Sequence, residues 1–125
     1  MNEQQKMVKE FHAKYSHEIG KSPKKLTDKQ VDIRYEYLQE ELDEFMAAET
    51  LVEQYDALLD LGYFLLGTLV IMGLPFDEGF KVVHEANMTK KPNKDKFKKV
   101  EKGTEFEKPE QKLQELIERI KNDNL

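Results

Sequence analysis

Residues 57–72 read ALLDLGYFLLGTLVIM, sixteen positions in which Asp60 carries the only charge. The spacing predicts a helix over about 51–73 that is apolar almost all round, and such a helix belongs in the middle of a bundle. The run is short for a membrane span and charged near one end, so it reads as a buried core helix, one that an isolated bundle would leave partly uncovered and a second chain is expected to bury. Gly73, Leu74 and Pro75 stop it.

Working outward, the preceding segment has Val31, Tyr35, Leu38, Leu42 and Phe45 at steps of four and three. This predicts an amphipathic helix capped by Thr27 or Asp28 and running to about residue 49. Val8, Phe11 and Tyr15 predict a first helix over 2–18, broken by Gly20, Ser22 and Pro23. Downstream, 76–88 forms a fourth helix with Phe76, Phe80, Val83 and Asn87 on one face. Residues 89–109, TKKPNKDKFKKVEKGTEFEKP, are a lysine-rich arm. A last helix, about 110–122, carries Leu113, Leu116, Ile117 and Ile120. Sustained alternation and hairpin dipeptides are missing, so strands are not expected. The expected fold is one all-α domain, a bundle of four to five helices with its core over about 5–90.

The composition narrows the function. The chain has 125 residues, 25 acids against 20 bases, and a net charge of −5. Such a protein has no general attraction to duplex nucleic acid or to an anionic membrane. It contains no cysteine, which removes disulfides, thiolate metal sites and cysteine nucleophiles, and it is compatible with a reducing cytoplasm, the expected setting. The opening MNEQQKMVKEFHAKY is charged throughout and lacks the apolar core of a signal peptide.

Asp60 then demands a counter-charge. Burying a lone carboxylate costs several kcal/mol or forces its protonation. Asp56 lies one turn earlier on the same face, and two neighbouring carboxylates repel. The second helix adds more acid in YLQEELDEF: Glu41 and Glu44 flank the apolar stripe, and Glu40 lies further round toward solvent. Packed side by side, the two helices can bring Glu41 and Glu44 toward Asp56 and Asp60. A shared cation relieves the repulsion. Oxygen ligands select hard cations, so magnesium is expected, with manganese as a substitute. The three histidines, His12, His17 and His84, have no ligand-like spacing. The plainer readings are that EELDE is a solvated face and that Asp60 pairs with Arg34 or a lysine, or stays protonated.

Three ordered segments carry a resemblance: Glu40-Glu41-x-x-Glu44, then Asp56-Ala-Leu-Leu-Asp60-Leu-Gly-Tyr-Phe-Leu-Leu-Gly-Thr, then Val83-His84-Glu85-Ala86-Asn87-Met88-Thr89-Lys90. The opening Val8-Lys9-Glu10-Phe11-His12 and the tail Lys99-Val100-Glu101-Lys102-Gly103 with Pro109 extend it over about residues 5–110. Together they resemble the all-α nucleotide pyrophosphohydrolases, which include MazG-like proteins, dimeric dUTPases and phosphoribosyl-ATP pyrophosphohydrolases. The resemblance implies a MazG-like bundle that dimerises, as a homodimer or a dimer of dimers. It implies metal ligands at Glu41, Glu44 and Asp60, with Glu40 near the metals or the attacking water. The usual pattern has a glutamate three residues before the aspartate; that position is Ala57 here, and Asp56 is expected to take its place. The implied reaction splits a nucleotide between the α and β phosphates.

Divalent ions neutralise phosphate charge and activate water, and a glutamate not fully committed to metal can act as general base; Glu40 or Glu41 is expected in that role. The pyrophosphate leaving group needs cations, for which Arg34, Lys90, Lys91 and Lys102 are candidates, and Asn87 is a further substrate contact. For Arg34 the alternative is a structural salt bridge; Asn87, on the apolar side of its helix, should be hydrogen-bonded, with a helix-end role as its alternative. Two other functions stay open: the phosphoribosyl-ATP pyrophosphohydrolase of histidine synthesis, and a helical oligomerisation module without catalysis.

Overall fold

The computed structural model describes residues 1–123. Five helices follow in order: α1 (Glu3–Lys14), α2 (Asp28–Ala47), α3 (Leu51–Met72), α4 (Phe76–Asn87) and α5 (Glu110–Asp123). There is no strand among the described residues, and the all-α expectation holds. The chain divides into two compact units, Met1–Phe76 and Asp77–Leu125.

In the first unit α2 and α1 both pack on α3. Each of the three helices has a side-chain cap. Asn2 accepts from the Gln5 amide, and Thr50 accepts from the Glu53 amide. Thr27 and Gln30 form a reciprocal capping box at the start of α2. Only residues 48–50 join α2 to α3, so the pair folds back as an antiparallel hairpin.

The far end of α3 is clamped. Gly73 takes a left-handed φ of 69° and closes the helix. A side chain there would meet the Ser22 carbonyl oxygen at 2.6 Å, so glycine is required for space as well as for φ. The Gly20 and Lys24 amides donate to the Val70 and Met72 carbonyls. Gln5, fully buried, donates to the Leu74 carbonyl and accepts from the Phe76 amide.

One expectation needs correction. The first helix ends at Lys14, not 18, because Ser16 adopts φ 56° and the chain turns so that the His17 amide reaches the His12 carbonyl. The third helix is partly uncovered within one chain, as expected of an isolated bundle. Only Ala57, Gly67, Val70 and Ile71 of it are buried, although both α1 and α2 pack on it. Leu51, Val52, Tyr55 and Leu59 are each more than half exposed. By length and mean hydropathy alone α3 could cross a membrane, a weak criterion that many core helices of soluble proteins also meet.

In the second unit Arg119 of α5 pairs with Glu78 of α4, and Leu113 lies beside Gly79. Pro109 sits just before α5, where a missing N–H costs nothing. The arm is a loop, as expected, pinned by an antiparallel bridge between Lys91 and Glu101. Thr89 braces its base: the hydroxyl donates to the Ala86 carbonyl and accepts from the Glu107 amide.

Candidate active site

The antiparallel seam of α2 and α3 places charges in two separate groups. At one end, carboxylate oxygens of Glu41, Glu44 and Asp60 all lie within 4.8 Å of one another. Their burial is graded: Glu41 is buried, Asp60 half-buried and Glu44 exposed. One Glu41 oxygen, Oε2, is buried and has no hydrogen-bond partner among the described residues. An unsatisfied buried carboxylate oxygen is a costly arrangement for a protein with nothing to bind there. The crowding shows in the titration. Burial pushes the Glu41 carboxyl up to about 7, helped by Glu44, Asp60 and Glu40. Asp60 is raised by burial and then by the charges of Asp56 and Glu44.

This donor set fits a hard cation. Three carboxylates from two helices converge, one oxygen lacks a partner, and no nitrogen or sulfur ligand intrudes. Asp56, expected as a fourth ligand, is exposed and lies outside the converging set, although its charge is felt by Asp60. Glu40 is exposed beside the set, as its helical position predicts. Among the described residues no cation pairs with Asp60, and Arg34 is not its partner.

Arg34 belongs to the second group. Its Nε donates to the Thr68 hydroxyl at 2.9 Å, and one terminal nitrogen donates to the Phe64 carbonyl at 2.8 Å. Its guanidinium carbon lies 5.4 Å from the Tyr37 ring centre and 5.7 Å from that of Phe64. The expected alternative of a structural salt bridge does not apply, because no carboxylate pairs with Arg34 among the described residues. Partial burial lowers its pKa. Gly67 makes room for it: a β-carbon there would stand 2.8 Å from an Arg34 nitrogen and 3.0 Å from His12 Nε2.

His12, which the sequence left without a physical role, is almost fully buried and its Nδ1 lies 2.8 Å from the Glu18 carbonyl. The carbonyl can only accept, so Nδ1 donates. Burial lowers the pKa of His12, with the nearby Arg34 and His17 charges adding to the effect. His12 and Arg34 line a cleft of about 270 Å3 together with His17, Gln30 and Tyr37.

The remaining candidates lie in the second unit. Lys90, Lys91 and Lys102 gather around a cleft of about 550 Å3 that Glu101 and Glu105 also line. The ammonium groups of Lys90 and Lys102 stand 5.7 and 5.6 Å from the centre of the Phe106 ring. Asn87 was expected to be hydrogen-bonded on the apolar side of its helix. It is exposed instead, and its side chain has no hydrogen-bond partner among the described residues.

No curated protein is matched by this chain. A family model does match, over residues 8–87, and its description is phosphoribosyl-ATP pyrophosphohydrolase. The matched stretch takes in His12, Arg34, all three converging carboxylates and Asn87. Covering well over half of the chain, the match makes the protein a member of the phosphoribosyl-ATP pyrophosphohydrolase family, whose members are hydrolases acting on acid anhydrides.

Proposed function

We propose that this chain is a nucleoside triphosphate pyrophosphohydrolase dependent on a divalent cation, magnesium with manganese as a substitute. The observation that carries the reading is the convergence of Glu41, Glu44 and Asp60 within 4.8 Å around a buried oxygen that has no partner. Those three side chains would hold the cation. When bound, it neutralises the phosphate chain and polarises the α-phosphorus.

The remaining work falls to the chain's own residues. Glu40 is exposed beside the cluster, where its carboxylate can hold the attacking water and take its proton. The water oxygen bonds to the α-phosphorus and the bridging bond to the β-phosphate breaks. A nucleoside monophosphate and pyrophosphate result. The cations that a pyrophosphate leaving group requires are proposed to be Lys90, Lys91 and Lys102, with Asn87 as a further substrate contact. A second copy is proposed to cover α3, in a dimer or a dimer of dimers. Leu51 is 84% and Val52 70% exposed in the single chain, and two-fold pairing is the commonest way to bury such a face.

A panel of canonical and modified nucleotides, assayed with magnesium for pyrophosphate and monophosphate, tests the reaction. Release from at least one nucleotide and none in EDTA is expected; silence across the panel overturns the proposal. A flat calorimetric titration with magnesium and manganese would favour a non-catalytic helical module instead. The family description supports a second substrate, phosphoribosyl-ATP, split at the same α–β bond. Growth of a histidine-requiring strain that lacks this activity, after complementation, separates the two.

A further inference from the structure

Residues 91–101 of the lysine-rich arm form a finger, of which the proposed reaction uses only the base. Lys91 and Glu101 exchange two backbone hydrogen bonds, of 2.7 and 3.0 Å, and pin its two ends together. Side chains then build the tip. The Asn93 side-chain amide donates to the Lys99 carbonyl at 2.9 Å and ties the two shoulders. Asn93 Oδ1 accepts from the Asp95 amide, and Asp95 Oδ1 accepts from the Phe97 amide, each at 3.0 Å. The Lys98 amide donates to the Asp95 carbonyl, which closes a β-turn with Lys96 and Phe97 at its corners. Asn and Asp favour such turns because their side chains reach the backbone two residues on. Phe97 is left at a corner with 91% of its surface exposed.

The tip is also strongly basic. Residues 94–99 hold four lysines and one aspartate, a net charge of +3 inside a chain of −5. All are exposed, and none of the four lysines joins an ion pair among the described residues. Crowded lysines repel, and a bare aromatic ring gains nothing from water. Neither feature stabilises the chain alone, and together they suit an outside surface that is anionic and apolar beneath. A single strand of nucleic acid is served by a groove in which successive bases stack, whereas the finger offers one ring. The amides of Asp95, Phe97 and Lys98 are already bonded within the turn and have nothing to give phosphate oxygens. An acidic protein would meet the lysines but would need an apolar hole for Phe97. An anionic bilayer takes every feature. Headgroups face the lysines, the acyl boundary takes the ring, and amides bonded within the turn enter it at little loss.

We propose that the finger at residues 94–99 is a reversible anchor for anionic lipid surfaces, in which Phe97 enters the boundary between headgroups and acyl chains and Lys94, Lys96, Lys98 and Lys99 contact headgroup phosphates. The negative charge of the rest of the chain is screened beyond a Debye length, roughly 8 Å at physiological salt, so the attraction is local. One ring and four lysines make a weak, exchanging attachment. It is independent of the pyrophosphohydrolase reading, because neither the carboxylate cluster nor the lysine cleft includes these residues.

The test is cosedimentation of the full chain with vesicles of phosphatidylcholine and phosphatidylglycerol, against phosphatidylcholine alone. Binding to the anionic vesicles only is expected, falling as salt is raised. Phe97→Ser should weaken it at least about tenfold. Lys98→Gln and Lys99→Gln should each weaken it about fivefold. The chain has no tryptophan, so Phe97→Trp places a single reporter at the tip. Its emission should shift to the blue with anionic vesicles and stay unchanged with neutral ones. Equal binding to both vesicle types, binding to neither, full binding by Phe97→Ser, or an unshifted tryptophan each overturns the proposal. A single-stranded oligonucleotide is run in parallel. Should it bind and quench the tryptophan while the vesicles do nothing, the partner is nucleic acid and the lipid anchor is wrong.

Discussion

The two ends of the α2–α3 seam make opposite errors, judged as stability designs. Among the described residues, one end crowds three carboxylates with no basic side chain paired to them, and the other holds a guanidinium with no carboxylate partner. Arg34 and Glu41 are seven residues apart on one helix, so they share a face about 10 Å apart. A sequence selected for stability alone would have paired them. Their separation indicates that each charge is kept for something the single chain does not contain.

Breaking the acidic end has the largest expected effect. Asp60→Asn or Glu44→Gln should lower kcat/KM for pyrophosphate release by at least about a thousandfold, since each removes a proposed direct ligand. In EDTA the same variants should melt at a higher temperature than the parent, because like charges are relieved. A variant that loses activity and also stability in EDTA would mark the cluster as structural.

Asp56→Asn sharpens the boundary of the cluster. Asp56 lies outside the converging set yet raises Asp60, so a loss of about ten- to a hundredfold is expected, the scale of an outer partner. A loss equal to that of Asp60→Asn would make it a ligand after all.

The pH dependence of the metal-free chain comes next. Glu41 is raised to about 7 in the folded state, well above the ordinary glutamate range. A carboxyl raised by folding favours the fold while protonated and opposes it once ionised. The melting temperature in EDTA should therefore fall as pH rises from the ordinary glutamate range to about 7, then level off. Magnesium should flatten that fall, and Glu41→Gln should remove it. A midpoint that rises over the same window would contradict the crowding.

Gly67→Ala has the smallest expected effect on stability and probes the other end. Alanine gains roughly 1 kcal/mol in a helix over glycine, which offsets part of the cost of displacing Arg34 and His12. The melting temperature should move by only a few degrees. A fall of about ten degrees or more would show that Arg34 and His12 cannot give way.

Much of this was readable in the sequence. The steps of four and three in α2, the all-round apolar α3 and the stop at Gly73 give the hairpin. Helical geometry alone puts Glu41, Glu44 and Asp60 on facing flanks. Asp56 was harder, because one turn of helix decides contact and periodicity does not fix the stagger of two helices. The Arg34 group was hidden for another reason. Its members come from α1, α2 and α3, and the informative residue among them is a glycine, whose reason for being small exists only in space. One sign was present: an arginine beside no acid on an apolar stripe. The uncovered side of α3 was legible as well, because a helix apolar all round cannot be covered by so small a bundle alone, although periodicity does not say which residues stay bare.

The missing side chain at Gly67 has an evolutionary corollary. Positions 12, 34 and 67 sit on three different helices, yet any bulk gained at the third must be absorbed by the first two. Changes among them should be epistatic, with double variants departing from the sum of the singles. Across relatives, the three positions should drift together or not at all.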